Sequence, residues 1–443
     1  MRKFLKGIIG DEEQKIFVKL TSQTFVLRLL GMVLLYANQV LMARLMGVSD
    51  YGDYTVIMTW INFIVAFCMF GFDHGAQRFF SMLVAKEEWA KTRGYLRFSF
   101  RIIVIVSVLC MVGWFLFLWN KQSATNAIDR YPRTYSEAFL WSMFIIPLLA
   151  LVYQASAIYR SLHKIKLSLI SVYLILPVGI SLSSLAYYWL NDKGMRVNSA
   201  VLINLFCTFL VAWYMVRKIR KDLRPKFGDS RPRYDMKLWF SAGLTYLAMN
   251  VFTLVLKQSD ILFVSHYLGH AEAGIYAAAV KISALIPFGL TIVDYVYTPR
   301  ISSVFAKNDR ALLQQYISHA SKIVLIITIP LSLLLIGSGK YLLLIFGSEF
   351  QSSYIPLIIL ISGQLINAFT GMVGPLMTMT GNQNIFLMVY VVVSAIDLGM
   401  NYLLVPRMGV SGAAISSSVS VALLNIIMYY IVRRKLNIRA SFF

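Results

Sequence analysis

Charged and amide side chains set inside apolar stretches carry whatever chemistry this chain performs. Residues 252–264, FTLVLKQSDILFV, hold Lys257 and Asp260 between flanks suited to hydrocarbon. A charge near the middle of a bilayer costs about 3 kcal/mol on insertion scales, so each needs a partner or a purpose. Two readings stay open for this pair: mutual neutralisation at i, i+3 on one helix face, or separate duties in a polar cavity. Arg28, in FVLRLLGMVLLY, has no acid within a turn and calls for an anion from another helix or from a ligand. Lys281 either joins the cavity or snorkels to the membrane surface. Lysine and arginine placed this way bind phosphate or carboxylate groups. Asp73, Asp260, Asp294 and Asp397 are candidates for carrying a proton or sodium ion, although Asp397, with Tyr390, Ser394 and Asn401, also reads as an interhelical hydrogen-bond cluster.

Helical spacing gathers these residues into stripes. Thr21, Thr24, Arg28, Gly31, Leu35 and Asn38 share one face, as do Tyr246, Asn250, Thr253, Lys257 and Asp260. A third face holds Thr55, Thr59, Asn62, Asp73 and Gln77, and a fourth runs from Lys281 to Asp294 around Pro287. Lipid rejects such stripes, so the economical arrangement turns all four toward a shared water-filled cavity. Arg28, Lys257, Lys281, Asn250, Asn62 and Thr24 are its expected substrate-binding residues. Arg78 and Arg300, near helix ends, either gate the cavity or contact lipid headgroups.

The elements that must position these groups follow from composition. Of 443 residues 58% are hydrophobic and only 14% charged, against about a quarter in soluble domains. About twelve apolar windows of roughly 20 residues each fill the chain, which predicts an all-α integral membrane protein. The net charge of +22 lies mostly between windows, densest from Arg217 to Lys237. That pattern marks cytoplasmic loops rather than nucleic-acid binding, and it places both termini in the cytoplasm. Cys68, Cys110 and Cys207 lie within windows without metal or disulfide spacing, and the first window reads as a retained helix rather than a cleaved signal.

The windows repeat. ARLMGVSDYGDY (43–54) and SHYLGHAEAGIY (265–276) align at an offset of 222 residues, which pairs Gly47 with Gly269, Gly52 with Gly274, Tyr54 with Tyr276 and Arg78 with Arg300. Both copies leave and re-enter the membrane in the same sense. The prediction is two parallel-repeat six-helix bundles, residues 1–217 and 238–443, around a central cavity. Between them lies a basic cytoplasmic linker, 218–237, where Pro225, Gly228 and Pro232 interrupt any helix.

No catalytic constellation competes. The five histidines are scattered without metal spacing or a paired nucleophile, no Gly-rich phosphate loop is present, and no enzyme or cofactor is expected.

In this order and spacing, ARLMGVSDYGDY with GFDHGAQRFFS, DILFVSHYLGHAEAGIYAAAVKI with TPRISSVFAK, and GNQN with NYLLVPRMGVSGAAISSS resemble the polysaccharide flippases, or Wzx-like proteins, of the multidrug/oligosaccharidyl-lipid/polysaccharide exporter superfamily. The resemblance covers nearly the whole chain. It implies bundles that alternate between inward-open and outward-open forms and carry undecaprenyl-diphosphate-linked oligosaccharide outward across a bacterial inner membrane, for O-antigen or capsule-like polysaccharide. It also implies basic cavity residues, with Arg28, Lys257 and Lys281 in comparable places, and partners among membrane lipids, a glycan polymerase and assembly proteins. The chain lacks the extra helix pair typical of lipid II flippases. A cation-coupled drug exporter of the same superfamily has the same helix count but calls for an acidic cavity. An intramembrane glycan-modifying enzyme calls for a converging acid and base, and a scaffold for glycan-assembly enzymes is the remaining alternative.

Overall fold

The computed structural model describes residues 11–124, 133–162, 164–191, 194–227, 230–287, 290, 293, 297, 301, 304, 309–380, 382–438 and 440, with most side chains from Val26 onward. Hydrocarbon offers no partner for backbone polar groups, so an apolar chain of this kind satisfies them within helices, and the described residues contain no strand. The run Asp11–Met69 breaks at Gly47 into α1 (residues 11–46) and α2 (48–69). Then come α3 (Trp89–Ala124), α4 (Ile145–Ser161), α5 (Leu176–Leu190), α6 (Val197–Phe227), α7 (Met236–Leu268), α8 (His270–Ser283), α9 (Arg310–Phe346), α10 (Tyr354–Thr370), α11 (Gln383–Met408) and α12 (Val410–Leu436). Among the described residues ten stretches are long and apolar enough to cross a membrane, and the first contains both α1 and α2. Side chains such as Leu109, Leu333 and Leu334 stand outward and exposed, the surface a bilayer covers.

The duplication is visible in the backbone. Gly47 (φ 73, ψ 174) and Gly269 (φ 97, ψ 169) turn the chain in nearly the same way. Positive φ is costly for a residue with a Cβ, which explains glycine at both positions. Five residues on, the copies meet. A Cβ on Gly274 would lie 2.8 Å from the Gly52 Cα, and one on Gly52 would run into the His270 carbonyl oxygen. Equivalent positions touch in this way only beside the axis relating two parallel halves. Beside them His270 Nδ1 lies 2.5 Å from Asp53 Oδ1, and Arg44 donates to the Leu344 and Ile345 carbonyls at 2.7 Å. The last two are orphan acceptors near the end of α9. We call this the turn end.

The opposite, linker end corrects one expectation. Residues 218–227 continue α6, and Pro225 sits inside its final turn. A proline forfeits one hydrogen bond to the preceding turn, which a helix tolerates best where it is about to end. Lys164 Nζ holds Asp222 at 2.6 Å. Beyond the helix the chain crosses the start of α3, where Arg233 N donates to Ala90 O at 3.0 Å and Arg93 to Ser230 O at 2.7 Å.

Candidate functional site

A cavity of about 770 Å³ lies between the halves, bounded mainly by the second. From the first half come Arg28, Met32 and Leu35 of α1, with Tyr173 from the π turn Ser171–Ile175 that leads into α5. Tyr173 packs on α1 at Gly31, where a Cβ would lie 2.6 Å from the Tyr173 Cβ, so the missing side chain lets the two segments close beside Arg28. Thr253, Lys257 and Asp260 enter from α7, and Lys281 from α8. Further lining comes from α10, α11 and α12.

Three cations therefore converge on one space from three helices. The ion pairs among the described residues include neither Lys257 nor Lys281. Asp260 sits three residues from Lys257 and is committed elsewhere. Its carboxylate accepts from the Tyr276 hydroxyl at 2.6 Å, Ser417 Oγ at 2.7 Å and the Ile261 amide at 2.8 Å, with only 3% of the residue exposed. Three charge-assisted bonds explain how an acid is held there without an ion pair. Asp397 is buried in the same manner: it accepts from Ser259 at 3.0 Å, Asn401 at 3.1 Å and Ser416 at 3.2 Å. Because Ser259 and Asp260 are adjacent on α7, and Ser416 and Ser417 on α12, the two acids share one hydroxyl-rich seam. No group of three His, Cys, Asp or Glu side chains placed to hold a metal occurs among the described residues.

Other expected site residues lie away from this space. Asn250 does not line the cavity: its Nδ2 donates to Asp73 at 3.3 Å, and its Oδ1 lies 3.2 Å from His74 Nε2. Arg78 donates to the Tyr246 hydroxyl at 3.4 Å, and His74 stacks on the same tyrosine ring with centroids 5.5 Å apart. These contacts join the two halves at the linker end. Asn62 likewise reaches across the halves, donating to Gln258 at 3.5 Å, and does not line the cavity. On α7 the polar stripe borders the void at Thr253, Lys257 and Asp260, while Tyr246 and Asn250 meet the opposite half. The side chain of Thr24, and Asp294 and Arg300 altogether, lie outside the described residues.

Sequence reasoning passed over the amides Gln364, Asn367 and Asn425, which line the cavity from α10 and α12. The available signal was an amide pair three residues apart inside the apolar window ILISGQLINAF.

With this geometry in hand, kinship becomes informative. The family model described as polysaccharide biosynthesis protein matches residues 14–305. The chain belongs to that family. Relatives of this chain include the membrane protein EpsK of Bacillus subtilis, 23% identical over 327 residues, or 73% of this chain and 64% of EpsK. The probable low-salt glycan biosynthesis flippase Agl15 of Haloferax volcanii is 21% identical over 242 residues, 53% of this chain and 50% of Agl15. The chain thus spans less than two thirds of either relative. Among solved structures, the lipid II flippase MurJ in an inward closed conformation superposes with a TM-score of 0.70 at 16% identity, covering 94% of this chain and 87% of that one. That likeness establishes a shared fold, a two-lobe, all-helical membrane architecture.

Proposed function

We propose that this protein is a flippase that moves a polyprenyl-diphosphate-linked oligosaccharide from the cytoplasmic to the outer face of the cytoplasmic membrane, for assembly of a surface polysaccharide. The observation that carries this reading is the meeting of Arg28, Lys257 and Lys281 in one cavity between the lobes. A diphosphate is the natural counter-charge for such a group, and the polyprenyl tail can stay in lipid while the head crosses. Family membership and the named flippase relative point the same way. A drug exporter for cationic compounds would offer free carboxylates to the cavity, whereas Asp260 and Asp397 are saturated by hydroxyl and amide donors.

In this proposal the lobes, residues 1–217 and 238–443, rock about the segment 218–237, with both termini cytoplasmic. The membrane potential favours the direction: two negative charges moving outward from a negative cytoplasm release roughly 4 to 5 kcal/mol per 100 mV. The seam of Asp260 and Asp397 is the proposed site of proton or sodium coupling. A glycan polymerase and assembly proteins would receive the product. The test uses purified protein in liposomes loaded with undecaprenyl-diphosphate-linked oligosaccharide, with a sugar-modifying enzyme reporting arrival on the far face. Wild type should translocate and the Lys257→Ala/Lys281→Ala variant should not; equal rates in both, or none in wild type, refute the assignment.

A further inference from the structure

We propose that the wall formed by α10, α11 and α12 is a subsite for neutral sugar rings, distinct from the cationic wall that faces the diphosphate. The proposal rests on the flippase reading. Its basis is an inventory of donors and acceptors. The serine and threonine hydroxyls around the cavity already donate to protein acceptors: Thr253 to Met249 O at 2.7 Å, Ser283 to Val280 O at 3.0 Å, Ser418 to Ile359 O at 2.8 Å and Ser417 to Asp260 at 2.7 Å. The amides are not so fully committed. Asn367 Nδ2 donates to Gln364 Oε1 at 3.3 Å, which leaves Asn367 Oδ1 and Gln364 Nε2 open. Asn425 Nδ2 donates to Val421 O at 2.8 Å and leaves its Oδ1 open. Exchanging O and N within the Gln364–Asn367 pair leaves the same remainder, one acceptor and one donor.

Acceptor oxygens repel a phosphate oxygen but receive a hydroxyl, and a hydroxyl can also accept from the amide N–H. With two open acceptors to one open donor, the wall suits hydroxyl groups better than phosphate. Phe386 and Tyr390 of α11 also border the cavity, with ring centroids 4.7 Å apart. They offer an apolar surface of the kind the C–H face of a pyranose covers. Lys257 and Lys281 line the same cavity from α7 and α8.

The experiment measures binding of two lipids to purified full-length protein in nanodiscs: undecaprenyl diphosphate, and the same lipid carrying a neutral trisaccharide. Wild type should prefer the glycosylated lipid by at least tenfold, since three hydrogen bonds to neutral groups each contribute a few-fold. Gln364→Met with Asn367→Leu, and separately Asn425→Leu, should each lower that preference roughly fivefold or more and keep the affinity for bare diphosphate within twofold. Lys257→Ala should weaken both lipids alike. Equal wild-type affinity for the two lipids overturns the subsite without needing any variant to fold, as do amide variants that weaken both lipids equally. Wild type that binds neither lipid overturns the flippase reading as well.

Discussion

Gly52→Leu should prop the halves apart at the turn end. Backbone lies against backbone there: a Cβ at Gly274 would stand 2.8 Å from the Gly52 Cα, and one at Gly52 would meet the carbonyl of His270. Carbon atoms rest at roughly 3.5 Å or more. Even the smallest side chain at Gly274 is therefore about 0.7 Å too near, with no flexible end to yield. Overpacking a tight contact costs about 1 to 3 kcal/mol. Only the state with this end closed bears that cost, so the equilibrium should move toward opening by about 5- to 150-fold. Spin labels at Leu190 on α5 and Tyr341 on α9, both well exposed near the turn end, read the separation directly. Gly52→Leu should lengthen the label distance and slow translocation, while Gly113→Ala, with nothing within 4 Å of the added Cβ, should do neither. An unchanged distance distribution in Gly52→Leu would refute the idea that this contact is part of a moving closure.

The remaining expectations concern charge. Arg28→Ala should reach the membrane in normal amount yet reduce surface glycan severalfold or more, as scored by glycan staining; full glycan production removes Arg28 from the site. Exchanging the pair to Lys257→Asp/Asp260→Lys should fail to restore either function or stability. A lysine at position 260 would bring a longer, charged side chain into a buried site shaped for a carboxylate, with no acceptor for the Ile261 N–H, and we expect a loss of about 3 kcal/mol or more, visible in the thermal midpoint of the purified protein; wild-type transport by the exchanged pair would reinstate mutual neutralisation. Asp397→Asn keeps the shape but gives up the charge that strengthens the bonds from Ser259, Asn401 and Ser416, so it should cost about 1 to 3 kcal/mol and abolish any dependence of transport on a proton or sodium gradient. Transport that keeps that dependence would place coupling elsewhere.

The membrane class and the repeat were legible because both rest on strong, redundant signals: hydrocarbon demands long apolar helices, and the offset of 222 recurs at several positions. Arg28, Lys257 and Lys281 were legible as cavity residues because a cation is costly in lipid wherever its helix packs. Asn250 and Asn62 were not, since an amide satisfied across the contact of two halves and an amide open to a void have the same helical spacing. The fate of Asp260 was hidden for another reason. Its partners Tyr276 and Ser417 lie 16 and 157 residues away, and no local pattern announces such a meeting. Pro225 misled because the rule against proline weakens within the last turn of a helix.

Positions 38 and 260 descend from one ancestral site, 222 residues apart, and both are buried acceptors for a serine hydroxyl, Ser181 in one case and Ser417 in the other. One sibling is now an amide that holds the same charge at every pH, the other an acid. The ancestor's twofold equality has therefore been broken at the level of a single functional group. Whatever the surrounding medium tells this protein through ionisation at that inherited spot, only the younger-numbered sibling's counterpart, Asp260, can hear it.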